Sequence, residues 1–182
     1  MDTVRYFKTV AKRELVALRA VGDADRTLQQ VQHQVAADAG YASWGKLLSA
    51  DDADRQLAAV ITSEPRLTWE GFGAGYFTRT PQERRVAFAN ARAELRGKAD
   101  RVNRICEWLE ANIASRKTID PSAGSYGLKD LAERDLGWYL SNGEFIAAAI
   151  ICGYPYRAES DSPNARFGMS SRSITIVQNR HR

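Results

Sequence analysis

The chain has 182 residues, with 26 lysines and arginines against 22 aspartates and glutamates, and so carries a formal charge of +4. That length can hold one large or two small domains and bury enough apolar surface to fold without disulfide or metal staples. The longest wholly apolar stretch considered, Phe145–Cys152, is far short of the ~20 residues a bilayer span requires. Lys8, Lys12, Arg13 and Glu14 also stand where a signal peptide would need an apolar region. The expectation is a cytoplasmic protein with no membrane partner.

In chain order, Val4, Phe7, Val10, Ala11, Leu15 and Leu18 recur at three- and four-residue spacing, which predicts an amphipathic helix from Met1 to about Ala20, ended near Gly22. A second helix, about Asp25 to Ala39, carries Leu28, Val31, Val35 and Ala39 on one stripe and stops at Gly40. A short third holds Trp44, Leu47 and Leu48; a fourth, capped within Ser49–Asp52, turns Leu57, Val60 and Ile61 inward. These four form a small N-terminal helical module, residues 1–62. The pattern Val35–Ala50, VAADAGYASWGKLLSA, resembles a helical module of bacterial and mobile-element proteins that is sometimes labelled glyoxalase-related through its neighbours; the resemblance brings no catalytic residue. Ala36 and Gly40 also stand where a helix-turn-helix places its small residue and its glycine. The helix after that turn needs apolar residues where this chain has Lys46 and Ser49, which favours a packing module.

Residues 63–80 change character. Pro65 and three glycines disfavour a helix, while Trp69, Phe72, Tyr76 and Phe77 are too many aromatics for a disordered linker. An ordered loop packed on the helices is expected, with an exposed aromatic platform for nucleobases as the sharper alternative. Thr80-Pro-Gln-Glu83 is a capping box with proline at the first helical position. From there Phe88, Ala91, Leu95, Ala99, Val102, Cys106, Leu109 and Ile113 repeat at alternating three and four, predicting a long connecting helix to about Ser115 whose seam could pair with a partner helix or a second copy. Gly97 is its weak point, costing about 1 kcal/mol relative to alanine.

In the remainder of 81–182, Leu128, Leu131, Ala132 and Leu136 mark a helix stopped by Gly137, and Ser141-Asn-Gly-Glu144 forms a second capping box. The apolar run Phe145–Cys152 that follows is apolar on every face and predicts a central helix buried on all sides. The fold expected is thus mainly α: the helical module, the long helix, and a C-terminal helical pair around a buried central helix. For residues 172–178 helix and strand both stay open, since Ser170 or Ser171 could cap a helix while Ile174–Val177 is β-branched.

The charge excess sits in the middle of the chain, where residues 63–118 hold eleven basic and seven acidic side chains. On the long helix Arg85, Arg92 and Arg96 align, as do Arg101 and Arg104, and near the C-terminus Arg172, Arg180 and Arg182 stand without an acid between Phe167 and Arg182. These arginines are the candidate nucleic-acid contacts; a solvated face with local ion pairs is the plainer reading. His33 and His181 lack any second ligand at metal spacing, so neither a metal nor a cofactor is expected, and Ser125 and Lys129 are four apart rather than the three of Ser-Lys catalysis. Ser125–Ser171, with SYGLK, SNGEFIAAAI and SPNARFGMSS, resembles a block of uncharacterised proteins from bacterial chromosomes, plasmids and phages, and implies a mobile-element or accessory context. Within it Lys129, Asn164, Arg166 and Ser171 are the polar residues that structure alone explains least, whereas Asn142 and Gly143 are assigned to the capping box. The leading expectation is a non-enzymatic accessory protein that binds nucleic acid. The alternative is a protein-interaction module, a regulator or inhibitor of a host system, and the third is an enzyme whose site is assembled only in three dimensions.

Overall fold

The computed structural model describes residues 2–73 and 80–180. Over these the chain is mainly helical, with nine helices and two small antiparallel sheets, and it divides into two compact units, Met1–Ser63 and Glu64–Arg182.

The first unit contains α1 (Thr3–Ala20), α2 (Leu28–Asp38), α3 (Trp44–Ser49) and α4 (Asp52–Ser63). Short polar side chains fix the starts: the Asp2 carboxylate accepts from the Arg5 amide at 2.9 Å, and Thr27 and Gln30 cap α2 reciprocally. Past α2, Gly40 has φ +85° and the amides of Gly40 and Tyr41 donate to the carbonyls of Ala37 and Ala36. This Schellman turn needs a left-handed residue, which glycine adopts without strain. Phe7, Ala11, Val31, Val35, Ala36, Leu47, Ala58 and Ala59 form the core. Helix α3 has six residues and buries only Leu47, with Lys46 and Ser49 exposed, so the A-x-x-x-G turn serves packing here.

The second unit opens with a hairpin, β1 (Leu67–Thr68) and β2 (Gly71–Phe72), whose Leu67 and Phe72 are buried. Strands of two residues are too short to show alternation, which is why this segment reads only as a loop. Tyr76 and Phe77 of the expected aromatic platform lie outside the described residues. The long connecting element breaks at the glycine marked as its weak point: it is two helices, α5 (Pro81–Arg96) and α6 (Ala99–Asn112), with Gly97 as the C-cap of the first and Lys98 preceding the second. The seam of α6 is spent inside its own unit. Val102, Cys106 and Leu109 are buried, and α6 packs chiefly on α8, so the apolar seam of this half is covered within the unit.

After α7 (Ser125–Leu136), ended by Gly137 at φ +74°, comes α8 (Asn142–Ile151), the centre of the unit. Every residue from Asn142 to Ala149 is buried, but Ile150 and Ile151 are half-buried, so the burial on all sides expected through Cys152 ends one turn early. A charge at Ile146, fully buried, would therefore be the damaging one. Strands β3 (Tyr156–Ala158) and β4 (Ala165–Phe167) pair antiparallel with Tyr156 opposite Phe167, and α9 (Ser171–Asn179) is a helix capped by Ser170, which settles the open choice for 172–178.

Candidate nucleic-acid interface

Two of the arginines on the expected basic stripe are working parts of the fold. Arg92 donates from one guanidinium nitrogen to the carbonyls of Glu64, Pro65 and Leu67, at 2.7 to 3.1 Å, and so clamps the approach to β1. Burial alone pulls its pKa below the ordinary arginine value. Arg101 pairs with Glu144, a carboxylate with 0% exposure, donates to the Tyr139 carbonyl, and lies 4.0 Å from the centre of the Trp138 ring. Glu144 simultaneously accepts from the Ser141 amide at 2.8 Å as the far half of the capping box. The box thus leaves a full negative charge at the heart of the unit, and Arg101 is what balances it.

Of the remaining candidates, Arg166 pairs with Glu159 and donates to the Pro121 carbonyl, and Arg180 donates to Asn112 at 2.7 Å with Asp135 at 3.5 Å. Arg85, Arg104 and Arg172 are exposed, Arg96 is half-buried, and Arg182 lies outside the described residues. Arg84, not singled out by sequence because it falls off the aligned stripe, is exposed beside Arg85; Pro81, Arg84, Arg85 and Phe88 line a shallow depression at the start of α5. The side chain of Arg104 reaches over Trp138 at 5.5 Å, opposite no acid among the described residues.

Lys129 is buried in α7, its ammonium 2.9 Å from Asp130 and 3.0 Å from Glu133. Burial lowers its pKa, but the hydrogen bonds and charges of the two carboxylates outweigh that and leave it raised above the ordinary lysine value. The folded-state pKa exceeds the unfolded one, so the pair's contribution is complete at neutral pH and is lost only as pH climbs past the lysine range. Around this ammonium stand Tyr126 and Tyr139, their ring centres 5.2 and 5.3 Å away, both largely exposed. Glu133 ties the arrangement down by accepting from the Leu140 amide at 2.6 Å. Contacts therefore run without a gap from Arg104 through Trp138, Arg101 and Tyr139 to Lys129 and Tyr126. The cations of this series are legible in the sequence, whereas Tyr126, Trp138 and Tyr139, though within Ser125–Ser171, carry no local spacing that marks them as a group.

Asn164 and Ser171 have structural explanations. The Asn164 side-chain oxygen accepts from Asn142 at 3.1 Å, and the same Asn142 amide donates to the Pro163 carbonyl at 3.0 Å. Ser171 sits exposed in the first turn of α9, its carbonyl accepting from Thr175. The assignment of Asn142 and Gly143 to the capping box alone is corrected. Asn142 braces the 163–164 turn against the hairpin, and Gly143 lets α8 touch β1: its amide donates to the Trp69 carbonyl at 3.0 Å, and a Cβ there would lie 1.9 Å from the Thr68 carbonyl oxygen.

Cys106 and Cys152 face each other between α6 and α8, both free thiols. The hydrogen bond with Cys152 and then burial push the Cys106 thiol far above its ordinary pKa. The thiolate is the reactive species; Cys106 is therefore expected to resist a water-soluble disulfide reagent at neutral pH and to react as the unit unfolds in denaturant. Rapid labelling of Cys106 in the folded protein would contradict this packing. Among the described residues no cluster of His, Cys, Asp or Glu could hold a metal ion, and no described helix is long and apolar enough to cross a membrane. No protein-family model, no curated protein and no solved structure significantly matches the chain.

Proposed function

We propose that this chain is a non-enzymatic accessory protein that binds nucleic acid through its second unit. What supports the reading is the distribution of charge. Residues 1–63 hold eight basic and eight acidic side chains, so the whole excess belongs to residues 64–182, with eighteen and fourteen. Six of those acids are taken up by internal pairs: Glu144 with Arg101, Asp120 with Arg116, Asp130 and Glu133 with Lys129, Glu159 with Arg166, and Asp135 with Arg180. The same pairs engage five cations and Arg92 is held by carbonyls, so outside these contacts twelve basic and eight acidic side chains remain, with Arg84, Arg85, Arg104 and Arg172 exposed to solvent. Exposed guanidinium groups of this kind neutralise phosphates and release their counterions.

The candidate stripe contracts accordingly. Arg92 and Arg101 are bound internally, and the contacts proposed are Arg84, Arg85 and Arg104, with Arg172 in support. Reversal of the first three to glutamate is expected to weaken binding to mixed-sequence DNA by at least about tenfold at low salt and to flatten its salt dependence by about three phosphate contacts. Because all three are exposed, thermal stability should stay within about 0.5 kcal/mol of the parent. Unchanged affinity and slope in the triple variant would reject the assignment.

A protein partner has one observation in its favour. Of the sixteen residues of α5 only Leu95 is buried, and Val86 is 54% exposed, whereas helices in proteins draw most of their stability from packing. A protein seated on α5 would be weakened by Val86→Ser, an uncharged change that should leave nucleic-acid binding intact.

A further inference from the structure

We infer that the nucleic acid taken by the second unit is single-stranded, with unpaired bases stacking on Tyr126 and Tyr139. The inference rests on the proposed function and names the substrate class within it.

The two rings are 61% and 66% exposed, the largest aromatic surfaces left open to solvent among the described residues. Neither exposure is needed to shield Lys129, whose charge is already met by Asp130 and Glu133. Both rings lie within 5.3 Å of the same ammonium, so they are close enough to receive neighbouring bases of one strand. Their mounting is rigid. Tyr126 sits in the first turn of α7; Tyr139 is held through its own carbonyl by Arg101 and, one residue on, through the Leu140 amide by Glu133. A platform that is ordered before the ligand arrives loses little entropy on binding.

Lys129 is shared by Asp130 and Glu133, so the group beneath the rings keeps one net negative charge, and the cation available to a backbone is Arg104, exposed over Trp138 and paired with no acid among the described residues. Exposed rings alternating with cations form the arrangement that holds single strands, since every base has a stacking face and the cations follow the backbone. In a duplex those faces are already occupied by neighbouring bases, and reaching them requires unstacking. Rings at this surface therefore discriminate by strandedness, which the arginines alone cannot do.

The test is fluorescence anisotropy with labelled oligothymidylate and with a mixed-sequence duplex of equal length, on the full chain, on Tyr126→Ala/Tyr139→Ala, and on Tyr126→Phe/Tyr139→Phe. The wild type should bind the single strand more tightly. The alanine pair should lose about tenfold per ring on the single strand and little on the duplex, and the phenylalanine pair, which keeps the stacking face, should bind as the wild type does. Tighter or equal binding of duplex, an unaffected alanine pair, or an equal loss in the phenylalanine pair would overturn the inference while leaving nucleic-acid binding in place. Failure of the wild type to bind either probe would instead remove the proposed function, and this inference with it.

Discussion

Arg101→Met should destabilise the second unit by about 3–5 kcal/mol, the cost of leaving a buried carboxylate without its partner. Glu144 has 0% exposure, and among the described residues its oxygens are otherwise met only by the Ser141 amide of its own capping box. The loss should fall at the lower end of that range, because the Arg101 side chain is 36% exposed and water can enter behind a shorter replacement. Arg101→Lys should recover only part of it: an ammonium is a point donor, while the guanidinium reaches both Glu144 oxygens and the Tyr139 carbonyl together and stacks on Trp138. Urea unfolding followed by tryptophan fluorescence measures all three proteins. A loss under about 1 kcal/mol in the methionine variant would mean the pair behaves as a surface ion pair and that Glu144 is not the buried charge described.

Gly143→Ala should be at least as severe. The added methyl would stand 1.9 Å from the Thr68 carbonyl oxygen and 2.7 Å from that of Trp69, both backbone atoms of the hairpin. Neither a flexible side chain nor open space can absorb it. Relief requires separating α8 from β1, which breaks the Gly143 amide to Trp69 carbonyl bond and opens the contact that Asn142 braces from the other side. Overpacking with loss of a buried hydrogen bond puts the cost above about 3 kcal/mol. Gly127→Ala is the control, since a Cβ at Gly127 meets nothing within 4 Å; placed within α7, it should be neutral or stabilising by up to about 1 kcal/mol. Similar stabilities for the two variants would refute the close approach.

Helix starts were the most legible feature of the sequence because the capping chemistry is local. Thr80 with Glu83 and Ser141 with Glu144 each require only four consecutive residues, and both form as the spacing predicts. Gly97 showed where the long helix is weak, but whether a glycine bends or ends a helix depends on what packs beyond it. Here α6 turns its seam to α8. The arginines were the least legible. Arg92 and Arg85 are alike in sequence, yet one finds three carbonyls between Glu64 and Leu67 and the other faces solvent, and those carbonyls lie more than twenty residues away. Gly143 was misread for the same reason: local capping explained its neighbours, while its own necessity comes from β1. The Tyr126 and Tyr139 pair has no sequence signature either, since the two rings meet at Lys129 from the first turn of α7 and from the segment that follows the helix.

The most direct test of the central reading is the salt dependence of wild-type binding to oligothymidylate and to duplex DNA. If phosphates are contacted by Arg84, Arg85, Arg104 and Arg172, the logarithm of the association constant should fall linearly with the logarithm of salt concentration. The slope should be about 0.7 for each contact on the single strand and about 0.9 on duplex, with binding at or below roughly micromolar levels in dilute salt. Absence of binding to either probe at low salt, or an affinity that does not change with salt, would contradict the account.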